Sequence, residues 1–199
     1  MYKIFSILIL LFFLNSCNEN FTKLPEKETY DEELLKSIIP IKNVEYWQVD
    51  YVYGISPEKI FSNGNTELAK LIPIPEAKTG NGFFSGCQPS YCNYRILYLK
   101  NKNWYFVQSI EELREFIGKI DNEKEAFLIA RINDYDIDYK SSKGNGFLKT
   151  NYGYKLKVNK YNSCPESKEA FIVSVQKDGK LSKFKDLGYY YKSKNCIVY

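Results

Sequence analysis

Residues 109–132 read SIEELREFIGKIDNEKEAFLIARI, two short helical patterns back to back. Ser109 followed three residues on by Glu112 is a capping box, Leu113, Phe116 and Ile117 share one helical face, and Gly118 ends the run. Asp121 is the expected cap of the second helix, whose first turn carries Glu123 and Glu125, where acidic groups oppose the helix dipole. Ala126, Phe127, Leu128, Ile129, Ala130 and Ile132 leave that helix apolar nearly all round, which predicts burial.

On both sides of this pair the periodicity changes to two. Upstream, 45–53 reads as a strand with Trp47, Val49, Tyr51 and Tyr53 on one face. Residues 94–99 and 104–108 form an expected hairpin across Lys100-Asn101-Lys102-Asn103. Downstream, strands are expected at 152–161, 170–176, 181–186, 188–192 and 197–199, with Asp178-Gly179 as one tight turn. Gly80-Asn81-Gly82 and Gly144-Asn145-Gly146 read as turns. Three further helical stretches are expected: from Thr29, boxed by Glu32 and stopped at Pro40; a turn opened by Ser56-Pro57; and 66–72. The span 76–92 reads as a loop. Short turns favour antiparallel pairing, so the expected class is α+β: a single domain, mainly antiparallel sheet, with the helical pair packed on one face and braced by disulfides.

The N-terminus is of another kind. After Lys3, residues 4–14 are apolar except for Ser6. That length fits the hydrophobic core of an export signal and is too short to span a bilayer. It ends Leu14-Asn15-Ser16-Cys17, which resembles the lipobox of bacterial lipoproteins. The resemblance implies cleavage after Ser16 (signal peptide 1–16), lipid on Cys17, and membrane as a partner through that lipid. Asn18 lacks the aspartate that retains some lipoproteins at the inner membrane, which favours the outer membrane of a bacterial envelope. In its wealth of Lys, Asn, Ile and Tyr the chain also resembles envelope lipoproteins of flavobacterial type. Residues 17–28 are polar enough to be expected as a lipidated tether, leaving 29–199 as the domain.

Lys and Arg number 28 against 24 acidic residues. Loss of Lys3 with the leader lowers the excess from four to three. A mild excess without a basic block gives no argument for nucleic acid as a partner. Aromatic residues make up 17% of the chain, 18 of them Tyr, as suits a sheet-rich domain. Cys87, Cys92, Cys164 and Cys196 allow three pairings; the expected one is Cys87–Cys92 with Cys164–Cys196. Their spacing suits zinc poorly.

The chain contains no histidine. Serine and cysteine triads and most catalytic zinc sites are thereby excluded. No catalytic set, metal or cofactor is expected. Asp134, Asp136 and Asp138 alternate with Tyr135, Ile137 and Tyr139, a pattern that could gather carboxylates around calcium, but it fails the EF-hand rule at Tyr139 and Asn145. Candidate binding contacts are Phe83, Phe84 and Tyr91, on the loop 80–91 braced by the first cysteine pair; that these aromatics cover the core is an equal reading. Three functions are weighed: a non-catalytic binding module for a protein partner, such as an inhibitor or immunity factor; a structural or assembly component of the envelope; and a hydrolase of envelope glycans working through carboxylates, among them Glu166 or Glu169.

Overall fold

The computed structural model describes residues 19–75, 82–87, 90–194 and 196. The lipobox with Cys17, residues 76–81 and the strand expected at 197–199 lie outside them. In chain order, a 3-10 turn (Glu26–Thr29) leads into helix α1 (Asp31–Lys36), strands β1 (Tyr46–Tyr53) and β2 (Ser56–Gly64) and helix α2 (Thr66–Leu71). Strands β3 (Phe83–Gly86), β4 (Cys92–Lys100) and β5 (Asn103–Val107) complete a first sheet. Helices α3 (Ile110–Ile117) and α4 (Glu123–Ile132) precede a second sheet of β6 (Gly146–Thr150), β7 (Gly153–Ser163), β8 (Glu166–Gln176) and β9 (Leu181–Lys192).

All pairing is antiparallel. The first sheet runs β2-β1-β4-β3, with β5 sharing the β3 edge of β4, and the second runs β6-β7-β8-β9. The class is α+β, with a helical pair packed on sheet, as expected.

Local chemistry explains most of the elements. Ser109 Oγ accepts the Glu112 N–H at 3.1 Å and the Glu112 carboxylate accepts the Ser109 N–H at 3.2 Å, so both ends of the capping box close. For α4 the cap is Asn122, one residue later than expected, again boxed with Glu125. Glu125 is fully buried, and its carboxylate accepts N–H groups from Ile39 and Asp121, both at 2.8 Å. Burial raises its pKa despite those donors. Thr29 does not cap α1: its hydroxyl donates to the Glu26 carbonyl, and Tyr30 opens the helix without a side-chain cap. The β4–β5 turn is tighter than expected, with Asn101 and Lys102 both at positive φ.

Two strands depart from expectation. Ser56-Pro57 opens β2, not a helical turn; β2 is an edge strand, where a missing N–H is tolerated. Gly146, expected in a turn, begins β6 opposite Lys157, where a side chain would crowd Phe21. Residues 181–192 form one strand whose register shifts where two strands were expected.

One apolar core joins both sheets to the helices. Phe116 of α3 meets Trp47 at 5.7 Å and Tyr98 at 4.9 Å between ring centres, fixing the helix to the first sheet. Ala126 to Ala130 of α4 are all fully buried, and α4 packs on β7, β8 and α1.

The expected tether is instead part of the domain from Glu19 onward. Thr22 pairs with Phe147 at the β6 edge, and Leu24 is buried in the core. The Asn145 side chain clamps the Leu24 backbone twice, accepting its N–H and donating to its carbonyl, both at 3.0 Å. A polar composition argument misses this, because one apolar residue with a prepared socket is enough to order a short segment.

Candidate functional site

Cys87 and Cys92 are bridged with Cα atoms 5.5 Å apart, and Cys164 and Cys196 with Cα atoms 4.9 Å apart. Both are the expected pairs. The first bridge ties the β3 end to the start of β4, beside Tyr51, whose hydroxyl lies 3.3 Å from Cys87 Sγ.

The loop contacts expected around this bridge separate. Phe83 is only 7% exposed and belongs to the core. Phe84 packs against the core, its ring 6.4 Å from Tyr94 and under the Arg131 guanidinium at 5.4 Å. These two aromatics cover the interior and are withdrawn as binding contacts. Tyr91 is 43% exposed. Its carbonyl accepts the Gly54 N–H at 2.8 Å, which brings it to the β1–β2 turn. Tyr53 and Ile55, flanking Gly54, are 56% and 90% exposed. Tyr53 also pairs directly with Cys92. The result is an apolar tip of Tyr53, Ile55 and Tyr91 on a disulfide-braced frame. Its sequence signal is Gly54 directly after the strand-like run 45–53, a turn residue with φ of 62°.

A second arrangement lies at the Asp134–Asp138 pattern. Asp134 sits at positive φ, Asp136 ion-pairs with Arg131, and Asp138 is buried with partners of its own, so the three carboxylates do not serve one common ligand set. Among the described residues no group of three His, Cys, Asp or Glu side chains is placed to hold a metal ion. Asp138 Oδ2 accepts from Lys168 Nζ at 2.9 Å and from the Tyr190 hydroxyl at 2.8 Å, and Oδ1 accepts the Lys140 N–H at 3.1 Å. Asp138, Lys140 and Lys168 border an open cleft of about 360 Å³ that also includes Asp136, Asn159, Tyr161 and Glu166. Burial and the neighbouring carboxylate push the Tyr190 phenol well up, so it stays a donor. Burial opposes the charge on Asp138, yet the Lys168 and Tyr190 hydrogen bonds outweigh it and hold the carboxyl below its ordinary value.

This carboxylate is therefore ionised, accepts hydrogen bonds and has no proton to give as a general acid. It also links pH to folding. A carboxyl with a lowered folded pKa stabilises the domain above its unfolded value, about 3.9, and the contribution fades as pH falls through the folded value. Asp138→Asn should cost roughly 2 kcal/mol at pH 7, with the gap to the parent closing below about pH 4. Urea titrations of both proteins from pH 7 to pH 3 test this; a gap that stays constant with pH would refute it.

A third polar group lies on the first sheet. Tyr46 donates to Gln48 at 3.1 Å, Gln48 to Asp50 at 2.6 Å, and Arg95 Nη2 to Asp50 at 2.8 Å. Arg95 Nε and Asn93 Oδ1 are buried without a hydrogen-bond partner among the described residues. Asp50 and Arg95 underlie a shallow groove bordered by Ile55, Lys59 and Ile74.

No protein-family model, no curated protein and no solved structure matches this chain.

Proposed function

We propose that this chain is a lipid-anchored protein of the bacterial envelope whose domain is a non-catalytic binding module, engaging a protein partner through Tyr53, Ile55 and Tyr91. The anchor rests on Leu14-Asn15-Ser16-Cys17 and an export-type leader. Two disulfides suit an oxidising compartment outside the cytosol. The observation that carries the binding reading is Ile55, 90% exposed at the β1–β2 turn, where Tyr53 is exposed as well and Gly54 bonds the backbone of exposed Tyr91. Large apolar groups presented on a rigid frame lose little entropy on binding and make good anchors. An inhibitor or immunity factor would use such a tip to plug a partner's cleft.

A photo-crosslinking residue at position 55, in living cells, tests the reading. The expected result is one adduct of defined mass that disappears on Tyr53→Ala. The same residue at Tyr152, also well exposed, should give none. Equal adducts from both positions, or none from position 55, would remove the tip as a binding surface.

One observation favours a hydrolase as the second reading: Asp136, Asp138 and Glu166 border the same cleft. Against it, Asp138 is held ionised and Glu166 already accepts from the Tyr191 hydroxyl at 3.2 Å, whereas glycoside hydrolysis needs a carboxyl kept protonated. Release of reducing ends from envelope glycans by the parent and not by Glu166→Gln would restore it.

A further inference from the structure

We infer that the outward face of the second sheet, centred on Lys155, Lys157 and Lys185, lies flat on an anionic phospholipid surface. The inference rests on the lipid-anchor reading of Cys17 and adds the orientation that the anchor imposes. Along β7, Leu156 and Val158 are fully buried, so the alternate residues Lys155 and Lys157 point away from the core. Lys157 pairs across to Ile172, and Ile172 to Lys185, which puts Lys157 and Lys185 on the same face. Phe184, 59% exposed, has its ring 4.5 Å from Lys155 Nζ. The face is thus a row of cations with aromatic rings among them, the composition that favours an interfacial position on anionic lipid.

The chain arrives on this same face. Glu19 ion-pairs with Lys155, and the Phe21 ring lies 4.6 Å from Lys157 Nζ. Behind them the Thr22–Phe147 pairing and the Asn145 clamp on Leu24 fix the segment to the domain. Cys17 is only two residues before Glu19, a reach of about 7 Å when fully extended. A lipid on Cys17 cannot sit in a bilayer without bringing this face to its surface. Glu19 is already neutralised by Lys155, and Asp186 is tied to Lys183 at 3.0 Å, at register positions that alternate with Lys185. Positive charge therefore prevails where the chain meets lipid.

The test uses the mature protein purified with its own lipid and placed in vesicles of phosphatidylcholine, with or without phosphatidylglycerol. Amine acylation is then followed residue by residue by mass spectrometry. With phosphatidylglycerol, labelling of Lys155, Lys157 and Lys185 should slow roughly fivefold and recover in high salt. Lys59 and Lys70, exposed on other elements, should label at an unchanged rate. The variant carrying Lys157→Glu and Lys185→Glu should stay vesicle-bound by its lipid but lose the protection at Lys155. Equal labelling of both lysine groups on acylated protein would overturn the orientation while leaving the anchor in place. An intact mass without acyl chains would overturn the anchor itself, and the orientation with it.

Discussion

Asp50→Ala should destabilise the domain by about 3–5 kcal/mol, because it strands a guanidinium in the first sheet. The Arg95 side chain is 14% exposed and that of Asp50 is 4% exposed, so water reaches neither freely. In the parent, Asp50 takes both the Arg95 and the Gln48 donors. Without it, Gln48 loses its acceptor, and among the described residues Arg95 keeps only the Phe106 ring, 5.6 Å away. Arg95 Nε already lacks a hydrogen-bond partner among the described residues. Burying a charge without its counter-ion costs more than the pair ever contributes, so the double variant Asp50→Leu, Arg95→Met should recover most of the loss. Urea unfolding of the three proteins measures this. A single-variant cost below about 1 kcal/mol would mean that the groove above the pair hydrates Arg95 well enough to replace the carboxylate.

How far the sequence foretells the fold follows from the range of each interaction. The Ser109–Glu112 box closes over three residues, and the β4–β5 turn over two, so both are legible in a short window. The buried helix is legible because residues 126–130 carry no polar group at all. The two disulfides are the pairs expected from the cysteine spacing. What was missed depends on distant partners. Residues 19–28 look polar because nothing local reveals that Asn145, 121 residues from Leu24, will clamp the backbone there. Asp138 meets Lys168 and Tyr190 at separations of 30 and 52 residues, so nothing in the local alternation of Asp134, Asp136 and Asp138 reveals a buried carboxylate with partners of its own. Phe83 and Phe84 admit both readings in the sequence for a related reason: a Gly-rich stretch conceals that it pairs with β4 and packs inward. The exposed tip was overlooked because Tyr53 continues the alternation of β1, whereas burial along that strand ends before it.

Phe127→Ala should cost about 3–5 kcal/mol, a large part of the 5–15 kcal/mol available to an ordinary domain. Phe127 is fully buried in a helix whose neighbours on every side are buried too, so the structure cannot collapse cheaply into the space left behind. Phe184→Ala removes the same atoms from an exposed position and should change stability by no more than about 0.5 kcal/mol. The pair of variants thus separates burial from chemistry. The core variant also asks whether the two sheets stand or fall together. Helix α4 packs on β7 and β8, yet both tryptophans, Trp47 and Trp104, belong to the first sheet. If one core joins them, a cavity at Phe127 should lower the urea midpoint seen by tryptophan fluorescence and by amide exchange in β8 equally. A fluorescence midpoint that holds while β8 exchanges freely would divide the core in two and make the first sheet, with its exposed tip, a folding unit of its own.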